Sequence, residues 1–278
     1  MPDVRPVHAW PAWPLPLLAG LLPLAATVMA FTLSVRLGDV QACNPLIDGC
    51  VSISRAARHG LPNHLFRALV LPAAVLQALC WLLTGASLRR LGAVPTLPLR
   101  ALPWVGLAAA LFLVLYGTFL GTDGEAYRWM RRYGVVVYFG GTCIAMLIAS
   151  GALRGLAAHR GAARALLLLC GALPLLGLAN GFAPLLEWSE PSRAALQNRA
   201  EWWGGVVFTL FFLCIARLWH ATGFVVRLES TVAASEPALA ADAPGRLPQP
   251  WTDDGARNAA ATAPTWASSS GAAARRPS

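Results

Sequence analysis

Polar side chains that could do chemistry crowd into three short stretches, 43–60, 123–132 and 187–203. The first reads Cys43-Asn44-Pro45-Leu46-Ile47-Asp48-Gly49-Cys50-Val51-Ser52-Ile53-Ser54-Arg55-Ala56-Ala57-Arg58-His59-Gly60. Ser52 and Ser54 lie near His59, the residue types of a nucleophile and its base. No Gly-x-Ser-x-Gly turn is present to present the hydroxyl, so the spacing does not carry a catalytic serine. Ser52-Ile53-Ser54 reads instead as a capped turn or short extended piece resting on helix ends. His59 and His64, with Asp48, Asp123, Glu187 and Glu201, offer nitrogen and oxygen donors for a metal. Histidines five apart do not share a helix face, and no His-Glu-x-x-His occurs, so we expect no metal. No motif calls for a cofactor. What remains is a polar cluster without an assigned reaction: Asp48, Ser52, Ser54, Arg55, His59, Asp123, Glu201 and Trp202.

Asn44-Pro45 and Asp48-Gly49 are turn formers. Cys43 and Cys50 flank that turn and could bridge across it in an oxidising compartment, or stand as two unpaired small side chains. Cys80, Cys143, Cys170 and Cys214 lie inside apolar runs and read as packing residues.

The elements that hold these stretches are apolar helices. Of 278 residues, 56% are hydrophobic and 13% charged, with a mean hydropathy of +0.55. A soluble chain of this size needs about twice that charge on its surface. Six apolar runs, 15–35, 65–86, 103–121, 134–153, 165–186 and 204–221, are each long enough to cross about 30 Å of hydrocarbon. Val28-Met29-Ala30 resembles a cleavage site, but the first run is too long for a signal h-region and reads as a span. The fold class is therefore all-α, a polytopic membrane protein with a six-transmembrane-helix bundle. We divide the chain into a short N-terminal segment 1–14, the bundle 15–222 and a disordered tail 223–278 rich in Ala, Pro, Ser and Thr.

All 22 basic residues are arginine, and most flank the apolar runs, as lipid-headgroup anchors do. No basic stripe with interleaved aromatics appears, so the charge of +9 implies membrane lipids as partners and no nucleic acid. An even number of spans puts both termini on one side. Arginines divide almost equally between the sides, and the long first loop counts less, which places the termini in the cytoplasm of an inner (plasma) membrane. Trp10, Trp13, Trp81, Trp104 and Trp219 then fall at one interface, and Trp129, Trp188, Trp202 and Trp203 at the other, an aromatic belt. Gln77 and Asn180 are the polar side chains nearest mid-depth, where such groups bond across helices. No ionisable residue sits at the bilayer centre, against a proton-coupled transporter or a channel with charged rings.

The loop and the helix after it carry a resemblance. Ser52-Ile53-Ser54, Gly60, Pro62, Leu65-Phe66-Arg67-Ala68 and Ala73-Ala74-Val75-Leu76 resemble the DRAM/Frag/Sfk family of six-span membrane proteins. Phe139-Gly140-Gly141-Thr142 is similar to the family's fourth span, and Glu201-Trp202 before Phe208, Phe211 and Phe212 to the start of its last. Arg132-Tyr133 stands where the family often has His-Asn. The resemblance covers 15–222 and implies lipid handling or membrane organisation, without a catalytic motif to transfer.

Three functions are weighed. A non-enzymatic protein that organises lipids or regulates partners comes first. An interfacial lipid-modifying enzyme using Asp48, Ser52, Ser54, His59 and Glu201 comes second. A lipid transporter comes third, for want of an internal repeat.

Overall fold

The computed structural model describes residues 9–182 and 189–227, apart from the side chains of Leu176, Ala179, Asn180 and Gly181. The expectations for Asn180, Glu187, Trp188 and the tail beyond Arg227 lie outside the described residues. The chain divides into a unit Met1–Glu229 and a second, Ser230–Ser278. The first unit continues past 222, where the sequence reading ends the bundle.

Seven α-helices are present among the described residues: α1 (Pro14–Leu37), α2 (Ile53–Ala56), α3 (Gly60–Arg90), α4 (Leu97–Phe119), α5 (Glu125–Arg154), α6 (Arg160–Phe182) and α7 (Glu190–Ala221). Their limits follow local chemistry. Prolines occupy the first turns of α1, α4 and α7, where no backbone N–H is missed. Thr96 and Ser189 cap α4 and α7 by accepting from the N–H groups of Leu99 and Ser192. Gly38, at φ 79°, ends α1 in the left-handed conformation. Helices α1, α3, α4, α5 and α7 are long and apolar enough to cross a membrane; α6 has 23 residues. Large apolar side chains such as Leu111, Leu168 and Leu175 face outward, the reverse of a soluble bundle. The chain is a multi-pass membrane protein.

The six long helices close a ring. α1 packs on α3, α3 on α4, α4 on α5, α5 on α6, α6 on α7, and α7 back on α1. Trp13 meets His220, Thr209 Oγ1 donates to the Gly20 carbonyl, and Phe31 meets Trp202, so α1 and α7 run antiparallel. Just before α1 and just after α7, β1 (Ala9–Pro11) pairs antiparallel with β2 (Val225–Arg227). Both ends of the ring's chain therefore leave at one face, called here the terminal face.

Trp81 is fully buried between Phe211 and Phe212, and Trp219 and Trp202 are buried too. These three correct the belt expectation. Packing across the ring takes the indole rings that the sequence assigns to headgroups, while Trp10, Trp104, Trp129 and Trp203 remain exposed. A β-carbon added at Gly106 would overlap the Trp81 side chain, so that glycine lets α3 and α4 close on the indole.

Candidate functional site

The site lies at the face opposite the terminal face. Helix α7 has 32 residues, about 48 Å at 1.5 Å each, well beyond the hydrocarbon thickness. Its apolar stretch is 204–221, so Glu190–Trp203 forms a more polar extension ahead of it. Asn198, Glu201 and Trp202 fall at i, i+3 and i+4 and share one face of that extension.

The loop 43–57 is fastened down across it. Trp202 Nε1 donates to the Val51 carbonyl at 2.8 Å, Asn198 Nδ2 to the Gly49 carbonyl at 2.8 Å and Trp203 Nε1 to the Leu46 carbonyl at 3.2 Å. Gly49 has φ 64°, and a β-carbon there would strike the Ala195 carbonyl. Only glycine allows both the turn and the approach. On the other side, Ser34 Oγ donates to the Ala56 carbonyl at 2.6 Å, and Asn63 Nδ2 donates to the carbonyls of Ala57 and Leu120. Cys43 and Cys50 form a disulfide with Cα atoms 6.7 Å apart, closing the turn that sequence reading left open between bridge and free thiols.

Two cavities share Glu201, Val135 and Phe139 as a wall. One, of about 80 Å³, lies inside the ring. Gln77 reaches it, its Nε2 donating to the Ala19 carbonyl at 3.1 Å while its Oε1 has no partner among the described residues. The other is a groove of about 600 Å³ between α5, α6 and α7. Its outer end is polar, with Ser52, Ser54, Gln197, Asn198 and Glu201. Its length is apolar, with Val136, Phe139, Leu173 and Pro174. Gly140 and Gly177 keep it wide, since nothing stands within 4 Å of a β-carbon added at either.

Glu201 is the charged residue of that lining. Burial pushes its carboxyl up to about 7, against the N–H groups of Ser54 and Ile53 and the positive charge of Arg58, which act the other way. No ion-pair partner touches it among the described residues, where the pair present is Arg193–Glu190.

The predicted cluster thus divides. The structure brings together Ser52, Ser54, Glu201 and Trp202. Ser52 caps α2 by accepting from Arg55 N–H at 3.1 Å, and its hydroxyl lies 3.2 Å from that of Ser54. Asp48 is exposed and serves the turn, its Oδ2 accepting from Asn44 N–H at 2.8 Å. Arg55, His59 and Asp123 are exposed and line neither cavity. No group of three metal-ligating side chains gathers among the described residues. Sequence reading missed Asn63, Gln197 and Asn198, although the spacing of Asn198 to Glu201 and Trp202 was a visible signal. Among the described residues no histidine lines the groove with the serine hydroxyls; the one ionisable side chain there is Glu201, and the apolar length beyond it suits an amphiphile. Comparison with protein-family models, with curated proteins and with solved structures gives no match.

Proposed function

We propose that this chain is a six-span membrane protein that holds a membrane lipid in the α5–α6–α7 groove and so organises lipid, or a partner, around itself without converting it. The observation that carries this reading is the groove's own gradient: polar at the outer end, apolar along its length, and open between helices at the surface that lipid surrounds. An enzymatic reading has less support, because the Ser52 and Ser54 hydroxyls bond each other, Ser52 also caps α2, and no hydrogen bond joins either hydroxyl to Glu201 among the described residues.

Parity supports six crossings. β1 and β2 pair, so the ring's chain enters and leaves at one face, which requires an even number of crossings. With five helices long and apolar enough, α6 supplies the sixth; its 23 residues span about 35 Å. The Cys43–Cys50 disulfide supports an oxidising surrounding for the opposite face, hence termini in the cytoplasm and residence in a plasma membrane. The resemblance to DRAM/Frag/Sfk proteins belongs to the same proposal. Its Ser52-Ile53-Ser54 and Glu201-Trp202 motifs, far apart in the chain, meet at one site.

Gentle detergent extraction followed by native mass spectrometry tests the reading. Wild-type protein should carry about one phospholipid per chain, and G140L, whose side chain enters the groove, should lose it. Lipid-free wild type, or G140L with undiminished lipid, would contradict the proposal.

A further inference from the structure

The polar end of the groove has a definite hydrogen-bonding character. Glu201 offers two carboxylate oxygens. Asn198 gives one N–H of its amide to the Gly49 carbonyl, which leaves its oxygen and a second N–H. Ser52 and Ser54 add hydroxyl oxygens, and Gln197 adds an amide. The end therefore holds more acceptors than donors, and its one ionisable side chain is the acid Glu201. A headgroup bearing only phosphate and hydroxyls would meet that carboxylate as a like charge. A quaternary ammonium brings positive charge but no N–H to donate. A primary ammonium brings both, with three N–H donors on one cation.

The phosphate of such a lipid has its own counter-charge. Arg132 is exposed on α5, one turn before the groove residue Val136 and on the same stripe as Gly140 and Cys143. It lies one helical turn beyond the lining, toward the N-terminus of α5, and a guanidinium pairs well with phosphate oxygens. Cation at the rim, carboxylate and acceptors within, and apolar walls beyond are the complement of a zwitterionic lipid with a terminal amine.

Resting on the lipid-binding reading above, we propose that the groove selects a phospholipid whose headgroup ends in a primary amine, with the ammonium on Glu201 and the phosphate beside Arg132. The full chain in detergent, stripped of bound lipid, is offered dioleoyl phosphatidylethanolamine, phosphatidylglycerol and phosphatidylcholine in equal amounts, and bound lipid is counted by native mass spectrometry. The ethanolamine lipid should be preferred by about tenfold over each of the others, one charge-assisted contact's worth. E201Q should still bind lipid but without that preference, and R132Q should weaken all three. Soluble phosphoethanolamine should not compete, since the apolar walls contribute most of the hold; displacement by it would assign the site to a free amine and overturn the lipid assignment. Equal binding of the three lipids, or preference for phosphatidylglycerol, with binding still blocked in G140L, overturns the headgroup inference and leaves the groove as a lipid site. Absence of any lipid, or indifference to G140L, overturns the reading beneath it.

Discussion

Glu201 is where folding and the proposed lipid binding compete for one side chain. Its carboxyl sits near 7 in the fold, against 4.5 for the free group. Between those values the folded chain holds a proton that the unfolded chain has lost. Stability is thus fully present below about pH 4.5 and falls as pH rises toward 7. Thermal unfolding in micelles, followed by tryptophan fluorescence, should show a lower midpoint at pH 8 than at pH 5. In E201Q that difference should shrink, because the amide has no proton to lose; an unchanged pH response would remove the burial account. Trp202 acts one residue on. W202F takes the donor from the Val51 carbonyl and leaves that buried acceptor unpaired, a loss of about 1–3 kcal/mol. Faster amide exchange through Gly49–Ser54 should accompany it; unchanged exchange would mean the indole does not fasten the loop. Glu201 and Trp202 were legible in the sequence as a polar step before an apolar run. Their partners were not, because a hydrogen bond from α7 to a carbonyl some 150 positions earlier has no local signature.

At the scale of elements, the loop 43–57 is a fixed cover, tied to α7 by three side-chain donors and closed on itself by the disulfide. Cys43 and Cys50 should resist alkylation in intact membranes until reduced, and ready labelling of both in unreduced membranes would contradict the bridge. Replacing both with serine should lower stability by about 2–3 kcal/mol, as expected for a short closed loop. Two glycines of the bundle make a contrasting pair. G106A drives a methyl group into Trp81 and should destabilise by about 1–3 kcal/mol. G140L meets open space and should leave the unfolding midpoint equal or higher, since leucine also favours a helix over glycine. A loss of stability in G140L comparable to that in G106A would show that the groove is not open. Hydropathy located the helices well, since four of the expected runs fall inside long apolar helices and a fifth, 103–121, runs two residues past the end of α4. It misplaced Trp81, Trp202 and Trp219, because an indole at the end of an apolar run looks the same whether it faces headgroups or a neighbouring helix.

For the whole molecule, the closed ring sets what can be a site. Helix packing closes the ring, and between α5, α6 and α7 it leaves a groove whose outer end is lined by Ser52, Ser54 and Glu201. The pairing of β1 with β2 brings the two ends of the ring's chain together beside its first and last helices. The groove was not legible in the sequence: it is a gap between three helices, and gaps leave no residue pattern beyond small side chains such as Gly140 and Gly177. The most direct test is to photo-crosslink the full chain in vesicles containing a phospholipid with a diazirine on its acyl chain and to map the modified peptides. Crosslinks concentrated at Val136–Cys143 and Leu173–Gly177, and reduced by G140L, are the predicted result. Labelling spread evenly over outward residues such as Leu111 and Leu168, with no excess along the groove, would contradict the account.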